Sequence, residues 1–129
     1  MSETDNCSRV ILVVDDYEAN REILNLFLSA MGYDVIEACN GLEAVKVATS
    51  ACPDLIIMDL GMPVMDGYGA VRLLREVPTI CDVPIVACTA YDTATHRAQA
   101  ETVGFNEFLT KPIDFCLLNS VVARFHKAA

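Results

Sequence analysis

The chain has 129 residues, 53% of them apolar and 21% charged, with a formal net charge of −9. That length suits one domain able to bury about two-thirds of its unfolded surface, and the apolar share excludes disorder as the main state. Eighteen acidic side chains against nine basic ones would repel a nucleic-acid backbone, which argues against direct DNA or RNA binding.

Residues 1–8 read as a polar tail. They have no basic start and no apolar centre, so they are not a signal peptide, and no apolar run approaches a bilayer span. A soluble cytoplasmic protein without membrane contact is the simplest reading. Arg9 to Val14 is a β-branched run that predicts a buried strand and ends on Asp15-Asp16. From Tyr17 the period changes. Ala19, Ile23, Leu26, Phe27 and Ala30 recur at helical spacing, with Glu18, Arg21, Glu22, Asn25 and Ser29 between them, and Gly32 ends the helix as a left-handed cap.

Asp34 to Ala38 predicts a second strand. Asn40 followed by Glu43 resembles a capping box and opens a second helix through about Ser50. After Pro53 comes Leu55 to Met58, an apolar run that stops on Asp59 and is followed by Gly61 and Pro63, which end any regular element. Asp66 caps a third helix with Ala70, Val71 and Leu74 inward and Arg72, Arg75 and Glu76 towards solvent. Pro84 opens a fourth strand to Cys88, ending on Thr89-Ala90. The helix expected over 93–103 has a thin apolar face, Ala94, Ala98 and Val103, and Gly104 ends it. Phe105 to Leu109 is a fifth strand, followed by Thr110-Lys111-Pro112. A last helix from about Asp114 buries Leu117 or Leu118, Val121, Val122 and Phe125.

Five strand-then-helix units predict an α/β fold, a flavodoxin-like doubly wound parallel sheet in the order 2-1-3-4-5, as a single domain over 9–127. The six cysteines form no C-x-x-C pair and lie far from tight spacing with either histidine. Reduced, mostly buried thiols are expected rather than disulfides or a zinc site.

In that strand order Asp15, Asp16 and Asp59 converge on one edge of the sheet. Three carboxylates held close repel one another unless a cation sits among them. Oxygen-only ligands select a hard divalent ion, Mg2+ or Mn2+ ahead of zinc. Lys111, at the end of the fifth strand, brings a positive charge suited to a carboxylate or a phosphate oxygen. Thr89 offers a hydroxyl at the neighbouring strand end. A cis Lys111–Pro112 peptide would aim the lysine into the site. Each residue alone has a plainer explanation as a helix cap, strand terminator or solvated turn. Together they point to phosphoryl chemistry.

The pieces Val-Asp-Asp at 14–16, Met-Asp-Leu-Gly-Met-Pro-Val-Met-Asp-Gly at 58–67, Thr-Ala at 89–90 and Lys-Pro at 111–112 resemble the receiver domain of two-component response regulators, across roughly residues 9 to 127. The resemblance implies that Asp59 is the phosphoacceptor, charged by a histidine kinase or phosphotransfer protein. Asp16, Asp59 and the Gly61 backbone carbonyl would ligate magnesium directly, and Asp15 largely through water. Lys111 would bind the phosphate, Thr89 would turn inward to it, and Phe108 matches the switch aromatic. Phe108 stands where a tyrosine is often found, so only packing is available to it. Gly61 and Tyr91 fall at positions that influence dephosphorylation in the family, and Ala90 is small enough to leave the acyl phosphate approachable. A downstream protein would dock on helix 93–103, strand 105–109 and the last helix. The chain would then be a signalling domain rather than an enzyme beyond its own phosphoryl transfer and autodephosphorylation.

Three other readings fit less well. A magnesium-dependent phosphatase with an Asp nucleophile would place Asp-x-Asp after the first strand, where Asp15-Asp16-Tyr17 stands. An FMN binder would need a phosphate loop that these aspartates would repel. A non-phosphorylated pseudo-receiver scaffold would have little use for the intact acidic set and Lys111.

Overall fold

Three short apolar runs become the central strands of one parallel sheet, buried on both faces, and two more polar runs take its edges. In the computed structural model, which describes residues 9–60, 67–89, 98 and 101–126, the strands are β1 Val10–Val14, β2 Asp34–Ala38, β3 Leu55–Asp59, β4 Ile85–Thr89 and β5 Glu107–Thr110. Their order is β2-β1-β3-β4-β5, the flavodoxin-like arrangement expected. The described helices are α1 Glu18–Ala30, α2 Gly41–Ala51, α3 Gly67–Leu74 and α4 Phe115–His126. Residues 98 and 101–103 are helical, and the rest of the expected helix 93–103 lies outside the described residues, as do the tail 1–8, Gly61, Asp66, Ala90 and Tyr91.

Side chains alternate along each strand and so divide the core in two. Leu12, Val14, Ile56, Met58, Ile85 and Ala87 pack with Ala44 and Ala48 of α2 and Ala70, Val71 and Leu74 of α3. Ile11, Val13, Leu55, Ile57, Val86, Cys88 and Leu109 pack with Leu24 and Leu28 of α1 and Leu118, Val121 and Val122 of α4. The α4 alternative is thereby decided: Leu118 is buried and Leu117 is exposed. Asp114 caps α4, its Oδ1 accepting from the amides of Cys116 and Leu117.

Helix ends follow local chemistry. Gly32, at φ +96°, closes α1: Tyr33 N donates to Leu28 O and Gly32 N to Ser29 O, the paired bonds of a left-handed glycine terminus. At α2, Asn40 Oδ1 accepts from Glu43 N at 2.8 Å, and Glu43 Oε1 accepts from Cys39 N at 2.6 Å, one residue earlier than in a standard capping box. Those bonds to Cys39 hold the Glu43 carboxyl below its ordinary range.

Four expectations are corrected. The buried stripe of α1 is Leu24 and Leu28 with Phe27 partly buried, whereas Ile23 and Leu26 are exposed, Leu26 at 73%. Apolar residues cover so much of this helix that periodicity alone left its facing open, and packing against the sheet and Phe115 selected the i, i+4 pair. The thiols are not mostly buried. All five described cysteines are free, but only Cys88 is buried; Cys39, Cys52 and Cys116 are exposed because each lies at the end of an element, where the chain surfaces.

Arg75 does not face solvent. Its guanidinium is half-buried and donates to Cys81 O, Val83 O, Gly104 O and Asn106 Oδ1, at 2.6 to 2.9 Å. Asn106 Oδ1 also accepts from Ile85 N, so Asn106 is spent on joining the feet of β4 and β5, and β5 begins at Glu107 rather than Phe105. Arg21 is the fourth correction and belongs to the site.

Candidate functional site

Register brings the chemistry together. Val14 pairs with Met58, so Asp15 follows β1 beside Asp59 at the end of β3. Asp59 pairs with Cys88, one residue before Thr89, and Thr89 pairs with Thr110, one residue before Lys111. Four strand ends therefore deliver Asp15-Asp16, Asp59, Thr89 and Lys111 to one edge of the sheet, where open α/β sheets place their ligands.

Asp15 and Asp59 are buried, at 3% and 8% exposed, and Asp16 is exposed. One carboxylate oxygen from each lies within 4.8 Å of the others, a cluster able to hold a metal ion. Lys111 Nζ sits 3.1 Å from Asp15 Oδ2 and 3.3 Å from Asp59 Oδ2, bridging the two buried acids. Burial works to lower the lysine's proton affinity, but attraction from Asp59 and Asp15 outweighs it, and the ammonium is held above its ordinary range. Three carboxylates against one ammonium leave two negative charges, which one divalent cation would balance. An all-oxygen donor set with that residual charge fits a hard ion such as Mg2+.

The rest of Asp15 is tied as well. Its N donates to Ala38 O, extending the β1–β2 ladder, and its Oδ1 accepts from Tyr17 N at 2.9 Å. Asn20 Nδ2 approaches Oδ2 at 3.4 Å, and Arg21 Nη1 donates to the Asp15 carbonyl at 2.7 Å. Arg21 was expected on the solvent side of α1, yet its side chain is only 16% exposed. The sequence offered one overlooked signal: Asn20 and Arg21 fall five and six residues after Asp15, in the first turns of a helix that starts beside it.

Thr89 is buried at the end of β4, and its carbonyl accepts from Lys111 N at 2.7 Å. The Lys111–Pro112 peptide is cis, as expected. Phe108 is half-buried against the core shared with α2 and α3. The acidic edge opens into a cavity of about 270 Å³ between α1 and the start of α4, lined by Ile23, Leu24, Ile57, Cys88, Ile113 and Phe115 among others. Cys88 lines it with a protonated thiol, because burial, opposed by Lys111, pushes that thiol up to about 12.

Comparison with known proteins agrees with this geometry. Residues 11–123 match the family described as response regulator receiver domain. Response regulator PleD of Caulobacter vibrioides is 44% identical over 108 residues, covering 84% of this chain but 24% of PleD, so the chain spans about a quarter of that relative's length. The chemotaxis protein CheY4 of Vibrio cholerae superimposes with a TM-score of 0.88 at 30% identity, covering 92% of this chain and 99% of CheY4. The receiver domain of sensor histidine kinase PA1611 from Pseudomonas aeruginosa PAO1, whose structure has a magnesium ion coordinated in the active-site cleft, superimposes with a TM-score of 0.85 at 33% identity, covering 92% and 98% of the two chains.

Proposed function

The chain belongs to the response regulator receiver domain family, and on that premise we propose that it is the phosphoacceptor switch of a two-component phosphorelay, with Asp59 as the acceptor. The observation that carries this reading is the Lys111 ammonium bridging Asp15 and Asp59 inside a cluster of three carboxylates. In the proposed reaction an Asp59 oxygen attacks the phosphorus of a phosphohistidine on a histidine kinase or phosphotransfer protein. A P–O bond forms, the P–N bond breaks, and the imidazole leaves with its electron pair. Such transfers need alignment and charge neutralisation more than covalent assistance.

Asp15, Asp16 and Asp59 would hold Mg2+, together with the Gly61 carbonyl, which lies outside the described residues. When bound, the ion neutralises charge on the phosphoryl oxygens. Lys111 is the residue that would change partner: its ammonium rests on Asp15 and Asp59 and would move to a phosphate oxygen once Asp59 carries the phosphoryl group as an acyl phosphate. Thr89, at the adjacent strand end, would then donate its hydroxyl to the phosphate.

The proposed output surface is helix 93–103, strand 105–109 and the last helix, taking a downstream protein. It is supported by a hollow of about 320 Å³ between β5 and α4, lined by Phe108, Leu117 and Val121 with Glu107 and Arg124 at its edge. Phe108 would signal by packing. The charge of −9 supports a protein rather than a nucleic acid as the partner. Cytoplasmic placement and a domain spanning 9–127 belong to the same proposal; among the described residues no helix is long and apolar enough to cross a membrane.

The test is incubation with Mg2+ and acetyl phosphate, followed by intact mass, for the wild type and Asp59→Asn. The expected result is one phosphoryl group on the wild type, removed by hydroxylamine, and none on Asp59→Asn or without the metal. A wild type that gains no phosphoryl group, or an Asp59→Asn variant that gains as much, would refute the assignment.

A further inference from the structure

Nothing in the phosphoryl chemistry above uses Arg21, yet its side chain is only 16% exposed and is hydrogen-bonded beside the site. It sits in the second turn of α1 with its guanidinium shared between two acceptors. Nη1 donates to the Asp15 carbonyl at 2.7 Å, and Nε donates to Glu37 Oε1 at 3.1 Å. Glu37 lies on β2 opposite Val13, and its second oxygen accepts from Asn25 Nδ2 at 2.8 Å. Asn25 Oδ1 in turn accepts from Ser29 Oγ at 2.8 Å. A chain of hydrogen bonds thus runs up α1, crosses to β2, and ends on one backbone carbonyl, that of Asp15.

That carbonyl belongs to the peptide joining Asp15 to Asp16. The two acids are anchored very differently. The Asp15 carboxylate is held by Tyr17 N and Lys111 Nζ, whereas the Asp16 side chain is exposed. The direction of an exposed side chain depends on the backbone that carries it. We propose that Arg21 is a positioning residue: by holding the Asp15 carbonyl it fixes the Asp15–Asp16 peptide plane and aims the Asp16 carboxylate at the cation site. The inference rests on the reading of Asp15, Asp16 and Asp59 as a divalent-metal site. Partners that orient ligands in this way typically contribute 10- to 100-fold in metal affinity.

Charge makes the sign of the effect decisive. Arg21 places a cation beside a site for cations, so if it acted only through its charge, removing it would tighten Mg2+ binding. If it acts by orientation, removing it weakens binding. Arg21→Gln is therefore expected to bind Mg2+ about 10-fold more weakly than the wild type by titration calorimetry. Arg21→Lys keeps the charge but lacks the planar fork needed to span a carbonyl and a carboxylate together, and is expected to fall between the two. In metal-free protein, both variants should lose hydrogen-exchange protection at the Tyr17 amide, which donates to Asp15 Oδ1, while amides in the middle of α1 keep theirs.

Arg21→Gln binding as tightly as the wild type or more tightly overturns the proposal, as does unchanged protection at Tyr17. If Arg21→Gln does not fold, Arg21→Lys decides alone: weaker binding supports orientation, and wild-type affinity overturns it. Absence of Mg2+ binding by the wild type overturns the metal-site reading itself, an outcome separate from failure of the Arg21 proposal on a chain that does bind.

Discussion

Lys111 is held by two opposing influences, and their balance sets a measurable pH dependence. Burial disfavours its charge, while Asp59 and Asp15 favour it more, so its proton affinity in the folded chain exceeds the ordinary value of 10.5. A group whose folded value is raised stabilises the fold fully below its unfolded value and loses that contribution as the pH rises through the folded value. In metal-free buffer, Lys111→Met is therefore expected to be less stable than the wild type by about 1–2 kcal/mol at neutral pH, between the worth of an exposed pair and that of a buried one. The gap should persist to about pH 10 and shrink only in stronger alkali, as urea midpoints across that range would show. At this scale the sequence spoke clearly about Asp15, Asp59, Thr89 and Lys111, because each interrupts or follows an apolar run at a strand end. It said little about Arg21, beyond its spacing from Asp15, and nothing about Arg75. Their partners are chiefly backbone carbonyls, which every residue has, and no pattern in the sequence announces which carbonyl a guanidinium will find.

Among the elements, two glycines with positive φ separate backbone strain from crowding. Gly32 has φ +96° and nothing within 4 Å of where a Cβ would stand, whereas Gly104 has φ +117° and would place a Cβ 3.1 Å from Arg75 Nε. Gly32→Ala is expected to lose about 1–2 kcal/mol from conformation alone. Gly104→Ala should lose about 1–3 kcal/mol more, because the added methyl presses on Arg75 where it holds Gly104 O and Asn106. Chemical denaturation of the two variants tests the difference, and equal losses would mean that Arg75 yields freely. Both glycines were legible as helix stops. The facing of α1 was not: Leu26 and Leu28 are chemically alike, and only the sheet distinguishes them. The cysteines misled for a related reason, since an apolar neighbourhood in sequence says little at an element's end.

For the whole molecule the question is how far phosphorylation can shift the resting arrangement. Moving a two-state equilibrium from 1:99 to 99:1 takes about 5.5 kcal/mol. A Thr89 hydroxyl bonded to a charged phosphate would supply about 1.5–3 kcal/mol. Lys111 adds only the difference between phosphate and the carboxylates it already holds. Phosphorylation alone should therefore give a partial shift, completed by a partner that prefers the active form. NMR of the beryllofluoride-treated chain is expected to show shifts intermediate between two limits in β5 and α4, moving further when partner is added; complete conversion of the isolated chain would contradict this. The overall fold was legible because five strand-then-helix units admit few arrangements.

The Arg75 knot completes the clamping of β5. Its foot is fastened, since Arg75 and Asn106 tie Gly104, Val83 and the start of β4 into one joint. Its tip carries Lys111, about 13 Å away along four residues at some 3.3 Å each. That end is held as well, because Lys111 N donates to Thr89 O and every residue from Glu107 to Thr110 pairs with β4. With its backbone fixed along the whole length, β5 is a rail rather than a lever, and an ammonium at its end would change partner by swinging its own side chain.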